Sequence, residues 1–145
     1  MASVTEPAVQ RIVALFEHLT PQDLARLAEV YTEGARFKDP FNDVQGLAAI
    51  EAIFSHMFVA LQGPRFVIRD VVVQGEQCFL SWDFFFRHQR LGTAEQLIHG
   101  ASHLRLAADG RIAEQRDYWD AAEELYEKLP GLGVLMRWLK RRARV

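Results

Sequence analysis

The chain has 145 residues, 50% of them hydrophobic and 25% charged, with a net charge of −2. Those values describe one globular domain able to bury a sizeable core, and they exclude a disordered or fibrous chain and a second domain of ordinary size. A single cysteine, Cys78, excludes an internal disulfide and a thiolate zinc cage.

Thr5 and Pro7 open a first helix, whose apolar residues Ala8, Ile12, Leu15, Phe16 and Leu19 recur at helical spacing. Thr20 has the chemistry of an N-cap, Pro21 suits the first helical position and Asp23 the first turn. A second helix is therefore expected through Leu24, Leu27 and Tyr31, stopping at Gly34. Residues 35–39 read as a short strand ended by Pro40. Gly46 opens a third helix with Ile50, Ile53, Phe54, Met57, Phe58 and Leu61 on one side, closed by Gly63 and Pro64.

Beyond Pro64 the apolar period falls to that of a strand. Four strands are predicted over 65–74, 77–89, 95–107 and 111–119, broken at Gly75, Gly92-Thr93 and Asp109-Gly110. Connections this short impose an antiparallel meander. Two short helices, 121–128 and about 132–142, follow on either side of Pro130-Gly131.

Helices followed by a long meander predict an α+β domain over 1–145, with helices covering one face of the sheet. Alternation places Cys78, Leu80, Trp82, Phe84 and Phe86 on the inner face, and Ser81, Asp83 and Arg87 on the outer face with Phe79 and Phe85. On the next strand Ile98, Gly100, Ser102, Leu104 and Leu106 face inward, against His99, His103 and Arg105. Large rings opposite the small Gly100 and Ser102 suggest space for a ligand. Phe79 and Phe85 on the outer face suggest a homodimer interface.

Arg137, Lys140, Arg141, Arg142 and Arg144 fall in the last nine positions, with no acid among them, so a basic tail (the helix of about 131–145) follows an acidic body. Its expected role is to complement the helix dipole and that body. No stripe of basic and aromatic residues suggests nucleic acid, and no membrane contact is expected of the tail. The sequence carries no apolar run of spanning length and no leader-like start, and a reducing cytoplasm is expected.

Three stretches resemble the nuclear transport factor 2-like superfamily, in its SnoaL-like and ketosteroid-isomerase-like branch. They are Tyr31 to Pro40 with Gly46 and Ala48-Ala49-Ile50, then Asp109 to Ile112, then Arg116 to Asp120. The resemblance implies a cone, a curved antiparallel sheet of four meander strands plus a short N-terminal strand wrapped against three helices, with a cavity between them and usually a dimer. It does not imply one reaction, because the superfamily includes isomerases, epoxide hydrolases, cyclases, dehydratases and binding modules.

The resemblance makes Asp39 a candidate base, since it stands where ketosteroid isomerases carry the carboxylate that moves a proton beside a carbonyl. An apolar surround such as Phe37 and Phe41 would raise the proton affinity of that group. An aspartate before a proline also ends strands, its carboxylate bonding nearby backbone N–H groups. The family's oxyanion donors have no counterparts by ungapped counting. Leu15, Ser102 and Phe54 stand at those positions, leaving Ser102 and Tyr31 as the expected donors, and steroid isomerisation itself is not expected.

Asp117 matches a carboxylate of limonene-epoxide hydrolases and should share a side with Gln115 and Trp119. The partner Arg-x-Asp of those hydrolases is replaced by Trp82 and Phe84. The alternative for Asp117 is an ion pair near Arg116 or a bond to the first helix. If Asp39 and Asp117 both enter the cavity, they form an acid and base pair suited to isomerisation, dehydration or cyclisation. His18, His56, His88, His99 and His103 do not converge in sequence as metal ligands, so no metal and no cofactor are expected.

The expected cavity wall is Phe37, Phe41, Phe54, Met57, Trp82, Phe84, Phe86, Leu104 and Trp119, with Asp39, Ser102, Asp117 and Tyr31 as its polar points. The expected ligand is a small hydrophobic carbonyl compound. The alternative is a dimeric module that binds such a molecule without transforming it.

Overall fold

The computed structural model describes residues 5–124 and 131–144. Its element order is α1 (Thr5–Glu17), a 3₁₀ helix (Pro21–Glu29), β1 (Tyr31–Lys38), β2 (Asp43–Gln45), α2 (Leu47–Ala60), β3 (Gln62–Gln74), β4 (Gln77–Arg87), β5 (Gln96–Leu106), β6 (Ile112–Tyr118), α3 (Ala121–Glu124) and α4 (Leu132–Ala143). The six strands form one unclosed sheet in the order β2-β1-β6-β5-β4-β3. α1 and α2 pack on its concave side.

The helical stripes read from the sequence are the buried ones. Ala8, Ile12, Leu15 and Phe16 of the first helix lie in the core, as do Leu19 just beyond its end, Leu27, Ile50 and Phe54. The 3₁₀ helix starts as expected: the backbone N–H and hydroxyl of Thr20 both donate to the Asp23 carboxylate, at 2.9 and 2.8 Å. Gly46 precedes α2 with φ of 103°, a conformation open to glycine and costly for other residues, and its N–H donates to Ala35 O at 2.8 Å.

The second helix ends earlier than its spacing suggests, and Gly34 does not stop it. β6 takes up the backbone first: Ile112 N–H donates to Val30 O at 2.7 Å, and Tyr31 pairs with Ile112. Tyr31 is thus a strand residue, which its position between Val30 and Thr32 favours. Gly34 lies inside β1, at an irregularity in register between Tyr31 and Arg36.

The meander is antiparallel throughout, with β3 to β6 close to their expected bounds. β1 differs, because it runs parallel to β6 and carries a short antiparallel partner, β2, that the sequence did not suggest. Register shifts in β3, in β1 and between β5 and β6 bend the ladder, as bulges do, and give the sheet its curvature.

Both faces follow the alternation. Cys78, Leu80, Trp82, Phe84 and Phe86 are buried on the inner side with Ile98, Ser102, Leu104 and Leu106. On the outer face Phe79 is exposed and stacked on His103 with ring centroids 4.2 Å apart, and Phe85 is half-buried under the Arg65 guanidinium. Asp83 is buried on this outer face by its partners, Arg69 at 2.7 Å and His99.

The space that Gly100 and Ser102 leave is filled. A Cβ on Gly100 would lie 2.3 to 2.7 Å from three carbons of the Trp82 ring, so the indole occupies the place of the missing side chain. The edge of Phe66 packs against the same ring at 5.6 Å.

Of the C-terminal helices, the expected 121–128 segment is seen as α3 over Ala121–Glu124, and the remainder, with Tyr126, lies outside the described residues. Lys140 of α4 pairs with Glu123 at 3.5 Å, a contact with the acidic body of the kind expected for the tail. Trp138 of the same helix is half exposed, with Arg142 over its ring. Tyr118 is likewise exposed, under Arg116. No helix among the described residues is long and apolar enough to cross a membrane.

The glycine under the indole gives a direct test. Gly100→Ala drives a methyl group into the space the indole occupies, so that the ring must shift, and is expected to cost about 1–3 kcal/mol. A lowered urea midpoint at unchanged slope would show it, and an unchanged midpoint would mean the ring moves freely.

Candidate active site

A cavity of about 500 Å³ opens between α2 and the concave face of the sheet. Such a volume falls within the range of small-molecule sites. Phe37, Phe41, Phe54, Met57, Trp82, Phe84, Phe86 and Trp119 line it, and so do Asp39, Ser102 and Asp117. Two residues expected there do not. Leu104 is fully buried in the core on the sheet's inner face, among other side chains and away from the cavity wall. Tyr31 is also fully buried, one layer behind the wall.

The polar end is built by strand register. β6 turns Gln115, Asp117 and Trp119 inward by its two-residue period. Ser102 on β5 stands opposite Asp117, and Leu80 on β4 stands opposite Ser102. Parallel pairing sets Lys38 beside Arg116, so Asp39 follows at the level of Asp117.

Two branches of hydrogen bonds meet on one carboxylate oxygen. Trp82 Nε1 donates to Ser102 Oγ at 2.9 Å, and Ser102 Oγ donates to Asp117 Oδ1 at 2.6 Å. Tyr31 Oη donates to Gln115 Oε1, and Gln115 Nε2 donates to Asp117 Oδ1 at 2.8 Å. Among the described residues, no donor serves Asp117 Oδ2.

The surroundings set the charge. Burial pushes the Asp117 carboxyl from its ordinary 3.8 up to about 6; the bonds from Ser102 and Gln115 oppose this and the nearby Asp39 charge adds to it. Burial, followed by the charge of Asp117, pushes the Tyr31 phenol well above its usual range, so it remains a donor.

Asp39 has a different environment. Its Oδ1 accepts from Phe41 N–H at 2.8 Å, from Asn42 N–H at 2.6 Å and from Asn42 Nδ2 at 3.1 Å, and its Oδ2 accepts from Asn42 Nδ2 at 3.1 Å. The carboxylate closes the turn after β1, as an aspartate before proline commonly does, while still facing the cavity.

Several lining residues lacked a sequence signal. Phe16, Phe66 and Ile68 reach the cavity, while His56, His88 and Arg90 line its far end. His56 is off the apolar stripe of its helix, and the other two lie in a connection, so only the fold brings them together. Among the described residues, no group of three or more His, Cys, Asp or Glu side chains is placed to hold a metal ion.

A model of the SnoaL-like domain matches residues 12–115. No curated protein matches the chain. Among solved structures, a candidate SnoaL-like polyketide cyclase from Jannaschia sp. CCS1 is similar at a TM-score of 0.72 and 20% identity, over 85% of this chain and 92% of that one. A protein of ketosteroid isomerase-like fold from Catenulispora acidiphila, in complex with trimethylamine, is similar at 0.71 and 16%, over 87% and 95%. An epoxide hydrolase of M. tuberculosis, described as LEH-like, is similar at 0.68 and 16%, over 92% and 96%. At these identities the likeness is one of fold.

The raised carboxyl has a signature in stability. The unfolded chain releases the Asp117 proton near 3.8 and the folded chain near 6, so this group destabilises the fold increasingly as pH rises through that interval and fully above it. Asp117→Asn keeps an oxygen for Ser102 and Gln115 and removes the charge. It is expected to stabilise the protein by about 1–3 kcal/mol at pH above 7, at about 1.4 kcal/mol per unit, and by little below pH 4. Thermal unfolding at both pH values measures the difference, and equal gains at both would refute the cause.

Proposed function

The chain belongs to the SnoaL-like domain family, and we propose that it is a cofactor-free isomerase, dehydratase or cyclase acting on a small hydrophobic carbonyl compound. One observation carries the reading: a carboxylate lining an apolar cavity, raised to about 6, with one oxygen held by two donors and, among the described residues, the other without one. Such a group is close to half ionised in weakly acidic solution and can both take and return a proton.

In the proposed step, Asp117 Oδ2 removes a proton from the carbon next to the carbonyl. The electron pair of that C–H bond passes into an enolate, and the protonated Asp117 delivers the proton to another carbon or to a leaving oxygen. Asp39 then acts as the neighbouring charge that keeps Asp117 basic, and Ser102 acts by holding the base. Tyr31 works one residue further back, through Gln115. The epoxide-hydrolase reading gains nothing from Trp82, whose N–H serves Ser102, or from Phe84.

A second reading, a module that binds without catalysis, has one observation in its favour. The donors at the polar end already serve Asp117 and Asp39, which leaves few for a developing oxyanion. Under either reading, the exposed Phe79 and its exposed cross-strand partner Val72 support a second copy of the chain against the outer face.

Deuterium exchange at the activated carbon of β-tetralone, an apolar ketone, followed by NMR, tests the proposal without knowledge of the natural substrate. Wild-type exchange is expected to rise with pH through about 6 and level off, since the ionised carboxylate is the base. Asp117→Asn should lose about 10²-fold or more. Asp39→Asn should keep exchange, with its midpoint at lower pH. Loss in the Asp39 variant alone would transfer the base to Asp39, and ketone binding without exchange would favour the binding module.

A further inference from the structure

The far end of the cavity is the chemical opposite of the Asp117 end. Ser102 pairs with both Asp117 and Leu80, which fixes the acid at the level of Leu80. From there Trp82, Phe84 and Phe86 line the wall in succession, roughly 20 Å along β4 from Leu80 to Phe86. β4 then ends, and the connection to β5 carries His88 and Arg90. Gln62 of β3 pairs with Arg87, which brings the C-terminal end of α2 to the same place and, one turn back on that helix, His56.

His56, His88 and Arg90 all line this end. Among the described residues neither the Arg90 guanidinium nor the His56 ring has a hydrogen-bond or ion-pair partner, and His88 uses only Nδ1, which accepts from Arg90 N–H at 3.1 Å. Among the described residues, the only acids lining the cavity, Asp39 and Asp117, are at the other end. An apolar passage thus runs from two carboxylates to an uncompensated guanidinium with two imidazoles beside it.

We infer that the ligand is an amphipathic carboxylate, with its apolar body along Trp82, Phe84 and Phe86 and its headgroup held by Arg90, His56 and His88. This rests on reading the cavity as a small-molecule site and adds the class of molecule and its direction. A planar guanidinium matches a carboxylate with two parallel hydrogen bonds, and one permanent positive charge matches one negative charge. Asp39 and Asp117 repel an anion, so the headgroup is excluded from the acidic end. The carbon presented to Asp117 is therefore the one farthest from the headgroup, and the reaction occurs at the distal end of the substrate.

Binding of decanoate and of decan-1-ol, two probes of one chain length, tests this through quenching of Trp82 and Trp119, which line the cavity. The wild type is expected to hold decanoate about tenfold more tightly. The double variant Arg90→Gln, His56→Gln changes two exposed side chains and should bind both probes within about twofold, with decan-1-ol affinity unchanged. Equal affinities in the wild type, or a preference that survives the double variant, would overturn the inference and leave the cavity reading intact. A preference lost only in Asp117→Asn would put the headgroup at the wrong end and overturn it too. If neither probe binds, the small-molecule reading fails along with the inference.

Discussion

A tryptophan ring occupying the place of a glycine side chain fixes the candidate site. Trp82 and Gly100 are cross-strand partners on the inner face, and any side chain at position 100 would collide with the indole. The ring is held by steric fit on one side and by Phe66 on another, so its N–H points at Ser102 without further support. Ser102 is thereby committed as a donor to Asp117. One packing contact thus orients a chain of polar groups that reaches a carboxylate on the next strand but one. A residue larger than glycine would remove both the packing and the orientation.

The two acids illustrate how one residue type acquires two characters from its surroundings. Asp39 closes a turn, with two backbone N–H groups and an amide on its carboxylate. Asp117 has two side-chain donors on one oxygen and apolar surroundings on the rest, and its proton affinity rises. Sequence position alone favours Asp39, because the resemblance rests on the motif around it. The physical argument for a proton carrier favours Asp117, where desolvation outweighs the hydrogen bonds.

Much of this was legible in the chain. Period-2 alternation assigned the faces of β4 and β5, and the stripes of α1 and α2 identified their buried sides, because side-chain direction follows local geometry. What was not legible depended on contacts between distant segments. Asp39 lies beside Asp117 because β1 pairs in parallel with β6, and nothing local to either strand specifies that partner. Tyr31 fits helical spacing from Leu27 as well as a strand start, and the pairing with Ile112 decides between them. Leu104 shares its face with Ser102, yet alternation gives only the face of a residue. Whether it meets a cavity or another side chain depends on how the side chains of neighbouring strands and helices pack around it. His56 and Arg90 line one cavity only because α2 and β4 end at the same place.

The cost of the Asp117 arrangement is itself informative. Holding a carboxylate whose proton affinity is raised by two units of pH works against folding at neutral pH, by about 3 kcal/mol at the upper limit. An asparagine would accept the same bonds from Ser102 and Gln115 without that cost, and a serine in place of Gln115 would release Tyr31 from a buried contact. Packing therefore gives no reason for a charged residue at this point of β6. Local departures from stability of this kind concentrate where a protein acts on another molecule, and the apolar passage leading from Asp117 to Arg90 supplies the place for one.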